Sequence, residues 1–241
     1  MKHTRHLLFA LLTLVWTASQ AAALPGRAEV KKVTGSATVT NAKGVTSPLA
    51  AGAVLGTGDT VTTTPKSTVD LWLGLNGDAL RVEADSTLKF DVLDIVNVSE
   101  RVVTTLLNVS KGEVTGNIIT KLAKGSSYQV KTPKGTANIT GTVYRFNAST
   151  GQLTVASGTV IMSYTDASGA TKSVTVQAGQ QVTVKAGVAT VAPAPRGEIT
   201  ALNVIASVMA FFGKTTVGDV VANTATTTDI SNPLVNSVSS K

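Results

Sequence analysis

The chain of 241 residues contains no cysteine, and its two histidines, His3 and His6, both lie at the extreme N-terminus. A chain without cysteine forms no disulfide, has no thiolate nucleophile and offers no zinc–thiolate site. Loss of the N-terminal segment would also remove every imidazole general base. A carboxylate pair, a Ser-Lys pair or a calcium site of aspartate and backbone oxygens remains, and none shows the required local spacing. We therefore predict no enzyme, no cofactor and no metal.

Aspartates supply the two motifs that most resemble functional sites. Gly58-Asp59 suggests a calcium-binding turn, but an aspartate beside glycine commonly caps its own turn, and no Asp-x-Asp set stands nearby. Asp91 and Asp94 have the residue types of a general acid and base. Without an identifiable pocket, two such carboxylates are more typical of a solvated strand edge.

The first 23 residues have the pattern of a secretory signal peptide. A basic start with Lys2 and Arg5 precedes a short apolar run, Leu7 to Trp16, and small residues follow at Ala21 to Ala23. The apolar run is shorter than the roughly 20 residues that span a bilayer, which argues against an uncleaved anchor. We predict cleavage before Leu24, export to the periplasm or cell surface, and no membrane span in the mature chain.

The basic excess of the chain is modest. Removal of the leader takes away Lys2 and Arg5, so that 19 basic residues face 14 acidic ones and the net charge falls from +7 to +5. The lysines are scattered among the predicted strands and form no stripe, so nucleic-acid binding has little support. Solvated strand faces explain them, with weak attraction to an anionic envelope or polysaccharide as the alternative.

The composition is that of a β-protein with few aromatic residues. The chain holds 33 Val and 37 Thr against 5 Phe, 3 Tyr and 2 Trp. Apolar residues alternate in short runs that glycine and asparagine interrupt about every ten residues, as tight turns between short strands require. The runs are Val69-x-Leu71-x-Leu73, Leu80-x-Val82 and Leu88-x-Phe90-x-Val92.

A recurring unit of alternating apolar residues followed by a small residue and glycine predicts the fold class. It occurs around Lys111-Gly112, Ser157-Gly158 and Ala178-Gly179. Such units favour the corners of a twisted β-solenoid or β-roll, with a β-sandwich as the alternative architecture. We therefore predict an all-β domain over residues 24–192, whose exposed strand edges leave self-association open.

The segment from Tyr128 to Phe146 is the most informative part of the chain. Apolar alternation in this segment predicts strands. Its proline cannot donate to a ladder and its two glycines allow bends, so we predict three strands separated by two corners. The motifs that accompany it are, in order, Gly58-Asp59-x-Val61-x-Thr63, Ser67-x-Val69-Asp70-Leu71, Asn76-Gly77, Ser86-x-Leu88, Gly112-Glu113-Val114, Val130-x-Thr132-Pro133-x-Gly135-x-Ala137, Gly141-Thr142-x-Tyr144, Gly158-x-Val160 and Ala178-Gly179-Gln180. In this order they resemble FecR-type domains over roughly Val33 to Val184.

The resemblance implies a bacterial periplasmic or surface β-domain, solenoid-like in build, that works by contact. Relatives of this type are transmembrane regulators of iron uptake with a cytoplasmic anti-sigma segment. We expect this chain to be a stand-alone exported version without that segment. Thr140 stands where these domains often carry arginine, so a function that depends on that arginine is not expected here.

Residues 193–214 predict a Pro-rich linker and one amphipathic helix, because apolar residues fall at helical steps from Ile199 to Phe212. We expect the helix to cover an open end of the β-domain, with docking to a partner or a membrane surface as the alternative. Phe211, Phe212 and Trp72 are the candidate docking residues. Residues 215–241 are Thr- and Ser-rich and predict a poorly ordered tail.

Three functional hypotheses follow. The preferred one is a non-catalytic cell-envelope scaffold or binding module, whose partner would be an envelope protein or polysaccharide. The second is a periplasmic component of iron-uptake-like signalling. The third, a hydrolase using Asp91 and Asp94, ranks lowest because no other catalytic residue accompanies them.

Overall fold

A computed structural model describes residues 23–214. The predicted signal peptide, apart from Ala23, and the predicted tail 215–241 lie outside the described residues. Within residues 23–214 no helix is long and apolar enough to cross a membrane.

The described residues form nineteen strands, one α-helix and a final 3₁₀ helix, which confirms the all-β prediction and the C-terminal helix. The strands of the first half are β1 (Leu24–Pro25), β2 (Ala28–Thr34), β3 (Ala37–Thr40), β4 (Thr46–Pro48), β5 (Val54–Leu55), β6 (Thr60–Thr63), β7 (Thr68–Gly74), β8 (Asp78–Val82), β9 (Thr87–Asn97) and β10 (Val102–Lys111). Those of the second half are β11 (Glu113–Asn117), β12 (Ser127–Thr132), β13 (Gly135–Ile139), β14 (Val143–Asn147), β15 (Gln152–Ser157), β16 (Thr159–Thr165), β17 (Thr171–Gln177), β18 (Gln180–Lys185) and β19 (Val188–Pro193). Helix α1 spans Arg196–Ala210, and the 3₁₀ helix spans Phe211–Lys214.

The strands form two sheets. Sheet A has the order β17-β16-β13-β12-β10-β9-β6-β3-β4, with β1 paired to β9, and sheet B has the order β19-β18-β15-β14-β11-β8-β7-β2-β5. A β-helical solenoid stacks its coils through parallel strands. Among the described strands β10 and β12 alone are paired in parallel. The solenoid or roll is therefore not confirmed, and the two sheets fit the sandwich alternative.

The largest hydrophobic cluster of residues 23–214 lies between the sheets. On β9, Leu88 and Phe90 are fully buried while Lys89 between them is exposed, which is the alternation of a strand with one face in the core. Each such side chain stabilises the fold by about 1.5–3 kcal/mol through its burial. A β-bulge opposite Leu106 and Leu107 changes the alternation further along β9.

The segment from Tyr128 to Phe146 has the predicted succession of strands and corners. Strands β12 and β13 form a hairpin in sheet A, and β14 continues in sheet B. At the hairpin corner Thr132 Oγ1 donates to Gly135 O at 3.0 Å and accepts from Lys134 N at 3.2 Å. The side-chain bonds of Thr132 therefore close the turn around Pro133.

Two tyrosines of this segment meet in the core. Tyr128 from sheet A and Tyr144 from sheet B place their hydroxyl oxygens 3.0 Å apart, and their rings are 6.5 Å apart in an edge arrangement at 70°. Space for the rings comes from glycines, because a Cβ on Gly77 would overlap Tyr128 and a Cβ on Gly116 would overlap Tyr144.

Helix α1 follows Pro195, which occupies its N-cap position, and carries Glu198 in its first turn. Contrary to the expected position at an open end, α1 lies on the outer face of sheet B, against β8, β11, β14 and β15. Its buried residues are Leu202, Ala206 and Met209. Asn117 Nδ2 of β11 donates to Ala206 O at 2.9 Å. The expectation was wrong because Trp72 and Ala79 form an apolar patch on the outer face of sheet B, which Met209 of the helix covers.

We predict that Gly116→Ala destabilises the domain by about 1–3 kcal/mol, because the added methyl group would displace the Tyr144 ring from a packed core. Urea unfolding measures the change. Gly56→Ala is the matched control, since a Cβ there meets no atom within 4 Å. Equal stability of the two variants would contradict the prediction.

Candidate interaction surfaces

The outer face of sheet B carries a buried ion pair between β7 and β8. Asp70 on β7 and Arg81 on β8 are directly opposite in register, and Arg81 Nε and Nη2 donate to the two carboxylate oxygens at 2.6 and 3.0 Å. The Asp70 side chain is only 2% exposed. A carboxylate in that position requires a bidentate partner, so the pair is structural.

A second charged group, centred on Arg145 of β14, lies on the same face as the Asp70–Arg81 pair. Arg145 Nε is 3.2 Å from Glu113 Oε1, and its Nη2 is 3.9 Å from Glu83 Oε1. Thr115 Oγ1 also donates to Glu83 Oε1 at 2.8 Å. Burial raises the pKa of Glu113 above its ordinary value, and Arg145 opposes that shift. One arginine held between two carboxylates leaves an excess of acid, and the group offers no obvious nucleophile.

The N-terminal turn of α1 adds another acidic residue to this face. Thr154 Oγ1 on β15 donates to Glu198 Oε1 at 2.8 Å. Together with the Asn117–Ala206 bond, this contact ties both halves of the helix to the sheet. The sequence did not predict these polar contacts, because their partners are 44 and 89 positions apart.

The candidate docking residues lie where the helix meets the sheet. Trp72 is 8% exposed and forms a small apolar cluster with Ala79 and Met209, against which the half-buried Phe212 packs. In this structure the helix covers the Trp72 ring, and the docking roles of Trp72 and Phe212 stay predictions. Phe211 is 69% exposed. Its docking role stays a prediction.

The candidate acidic sites have structural partners. Asp59 accepts from Gly56 N at 2.8 Å and from Ala42 N at 3.2 Å, which is the bonding of a turn-capping aspartate. Asp91 lies 3.1 Å from Lys89 Nζ and accepts from Asn108 Nδ2 at 3.1 Å. In the part of the chain that the structure describes, no group of three or more acidic, histidine or cysteine residues could hold a metal ion.

A pocket of about 90 Å³ lies beside Asp78, a residue that the sequence did not single out. Asp78 is 7% exposed, and its Oδ2 accepts from Thr120 N at 2.8 Å. Burial raises the pKa of this carboxyl, while the backbone donors oppose the shift. The pocket is too small for more than a few water molecules and carries a single buried acid, so it indicates no reaction.

A larger groove of about 440 Å³ lies at the Thr-Pro corner. We call it the Thr-Pro groove; it is lined by Lys131, Thr132, Pro133, Lys134, Gly135, Thr136, Ser163, Tyr164, Thr165, Thr171, Val184, Ala186 and Gly187. Two lysines, a tyrosine and several hydroxyl residues line it, and no acidic residue does. Hydroxyl and ammonium groups in an open groove can hydrogen-bond a polar or anionic ligand.

The two layers of mostly antiparallel strands define an all-β domain. The charged residues described on its outer face hold one another through ion pairs, and residues 23–214 show no recognisable reaction centre. Residues 59–161 match the family model described as FecR protein. This match confirms the resemblance to FecR-type domains recognised from the motifs, and the Thr-Pro corner lies inside the matched region.

Solved structures with a related shape include two crystal structures of candidate anti-sigma factors from Parabacteroides distasonis ATCC 8503. They are 13% and 14% identical in sequence, and each match has a TM-score of 0.47 and covers 59% of this chain. The match spans 63% and 62% of those chains, which is less than two thirds of their length. No curated protein matches the sequence.

We predict that Met209→Asp releases α1 from sheet B, because the substitution places a charge against Trp72 and removes a burial contribution of about 1.5–3 kcal/mol. The other tryptophan, Trp16, lies in the predicted leader, so the fluorescence of the mature chain comes from Trp72. Exposure of Trp72 to water should shift its emission maximum to longer wavelength. Val208→Asp, on the exposed side of the same helix, is the control and should leave the emission unchanged. An unshifted spectrum for Met209→Asp would refute helix packing over Trp72.

Proposed function

We propose that this chain is a non-catalytic binding module of the bacterial cell envelope, exported by its predicted signal peptide and acting through contacts of its β-surface. The Thr-Pro groove is the observation that carries the proposal. It is open, it lies at the corner that belongs to the FecR match, and it combines cationic and hydroxyl groups. No sigma factor, membrane protein or substrate is needed for such a role.

A polysaccharide with anionic groups is the ligand class that fits this groove. Lys131 and Lys134 form no ion pair with any residue in 23–214, so their charges remain available to a ligand. Hydroxyl groups of Thr136, Ser163 and Tyr164 lie along the same groove and suit the hydroxyls of sugars. An extended polymer also suits an open groove better than it suits an enclosed cavity.

We predict that Lys131→Ala/Lys134→Ala weakens binding to an anionic envelope polysaccharide about tenfold, since two ammonium groups leave the groove. Isothermal titration with purified acidic polysaccharide measures the affinity. Rising salt concentration should also lower the affinity of the wild-type protein, because it screens the charges.

The control is Lys43→Ala/Lys124→Ala, which removes the same charge from exposed positions outside the groove. If both double variants lose affinity equally, the attraction depends on net charge alone and the groove is not the site. If the wild-type protein binds no acidic polysaccharide, the ligand class is wrong.

Signalling is the second candidate, and the FecR match over residues 59–161 favours it. In that role the domain would contact a separate membrane protein, which in turn would control a sigma factor. Deletion of the gene should then change a sigma-dependent transcript at least about twofold under iron limitation, and transcript sequencing measures it. An unchanged transcriptome, with a complemented strain as the control, would remove this candidate.

A further inference from the structure

Sheet A ends in two strands of unequal length. At one end lies β17, which has seven residues and no proline, and at the other lies β4, which has three and ends in Pro48. Within residues 23–214, β16 is the only strand that pairs with β17. An uncovered edge of that length presents backbone N–H and C=O groups to a further strand.

The β16–β17 hairpin determines which residues face the neighbouring strand. Asp166 N donates to Ala170 O at 2.9 Å, so these two form a hydrogen-bonded pair at the start of the ladder. Alternation along an antiparallel pair then directs the backbone groups of Lys172, Val174 and Val176 toward β16.

The other backbone groups of β17 point away from sheet A. These belong to Thr171, Ser173 and Thr175, all of which are exposed. Gln177 also points outward, but its N–H donates to Gln180 Oε1 at 2.9 Å. The available part of the edge is therefore centred on Ser173.

We propose that two copies of this chain associate through β17, antiparallel and in a register centred on Ser173. In this register Ser173 lies opposite its own equivalent, and Thr171 lies opposite Thr175 of the second copy. All three outward residues of each strand then exchange backbone hydrogen bonds, and the two copies are related by a twofold axis.

The side chains of β17 suit a second copy. Cross-strand pairs of threonine and serine interact favourably, and this register pairs hydroxyl with hydroxyl at every outward position. Lys172 is the only charged residue of the strand, and it lies opposite Val174 of the second copy. Its ammonium group is 3.9 Å from Asp166, which partly neutralises it. No like charges are therefore directly opposite each other.

The remaining edges are less suited to this pairing. On sheet B, β5 has two residues, and β19 ends in Pro193, which lacks a backbone donor.

A contact through one strand edge is smaller than a standard interface, so we expect a reversible dimer that forms with rising concentration. The association goes beyond the proposed binding function, because it requires neither the Thr-Pro groove nor an envelope ligand.

The test compares two double variants of the full chain by sedimentation equilibrium. Ser173→Lys/Thr175→Lys places four added charges across the interface and should raise the dimer dissociation constant at least about tenfold. The matched control is Thr46→Lys/Ser47→Lys on the short edge strand β4 of the same sheet, where both residues are exposed. Circular dichroism establishes that each variant is folded. A monomeric wild-type protein, or equal effects of the two variants, would overturn the proposal.

Single cysteines test the register without a disruptive charge, since the chain has no cysteine of its own. In Ser173→Cys the two thiols lie on either side of the twofold axis, with Cα atoms about 5.5 Å apart, which is within the range of a disulfide. Mild oxidation should produce a covalent dimer, whereas Ser47→Cys on β4 should remain monomeric. Equal cross-linking of the two variants would show that collision, and not β17 pairing, joins the copies.

Discussion

A hydrogen bond between two buried tyrosines joins the two sheets of this domain through its core. Tyr128 belongs to one sheet and Tyr144 to the other, and their hydroxyls meet in the interior at 3.0 Å. A buried hydroxyl without a partner would cost about 1–3 kcal/mol, so each tyrosine depends on the other. Burial raises the pKa of both hydroxyls, which keeps both neutral, so that one can donate a hydrogen bond to the other. Gly77 and Gly116 provide the space for the two rings, so the segment from Tyr128 to Phe146 contacts both sheets through its tyrosines.

Much of the fold could be predicted from the sequence because strands and helices have local periodicities. The alternation around Leu71 and Leu80 and the helical spacing before Phe212 were sufficient to predict elements of the correct type. The alternation failed on β9, where the bulge makes Leu93 face the core in place of Val92. A bulge depends on the partner strand, and the sequence of β9 alone does not contain that information.

The candidate surfaces were harder to predict, because they arise from strands that are distant in sequence. The Thr-Pro groove joins the β12–β13 corner to residues near 163 and 186. The sequence indicated the corner but not the residues across from it. Likewise, Trp72 and Met209 are 137 positions apart, and the amphipathic pattern of the helix did not specify which face of the domain it would cover. The sequence shows the polarity of each side chain, but which side chains lie close together depends on the order of the strands in the sheets.

The parallel pairing of β10 with β12 has a kinetic consequence. Between these strands the chain crosses to sheet B to form β11 and then returns, so neither sheet can be completed before the other. β11 pairs with β8 on one side and with β14 on the other, so its pairing is complete only when residues 78–147 are all in place. Contacts between strands that are far apart in sequence cost loop-closure entropy before they stabilise the fold. Topologies with many such contacts therefore fold slowly. A chain that emerges gradually from its N-terminus would therefore leave β10 and β11 without their later partners, β12 and β14, until residue 147 had emerged.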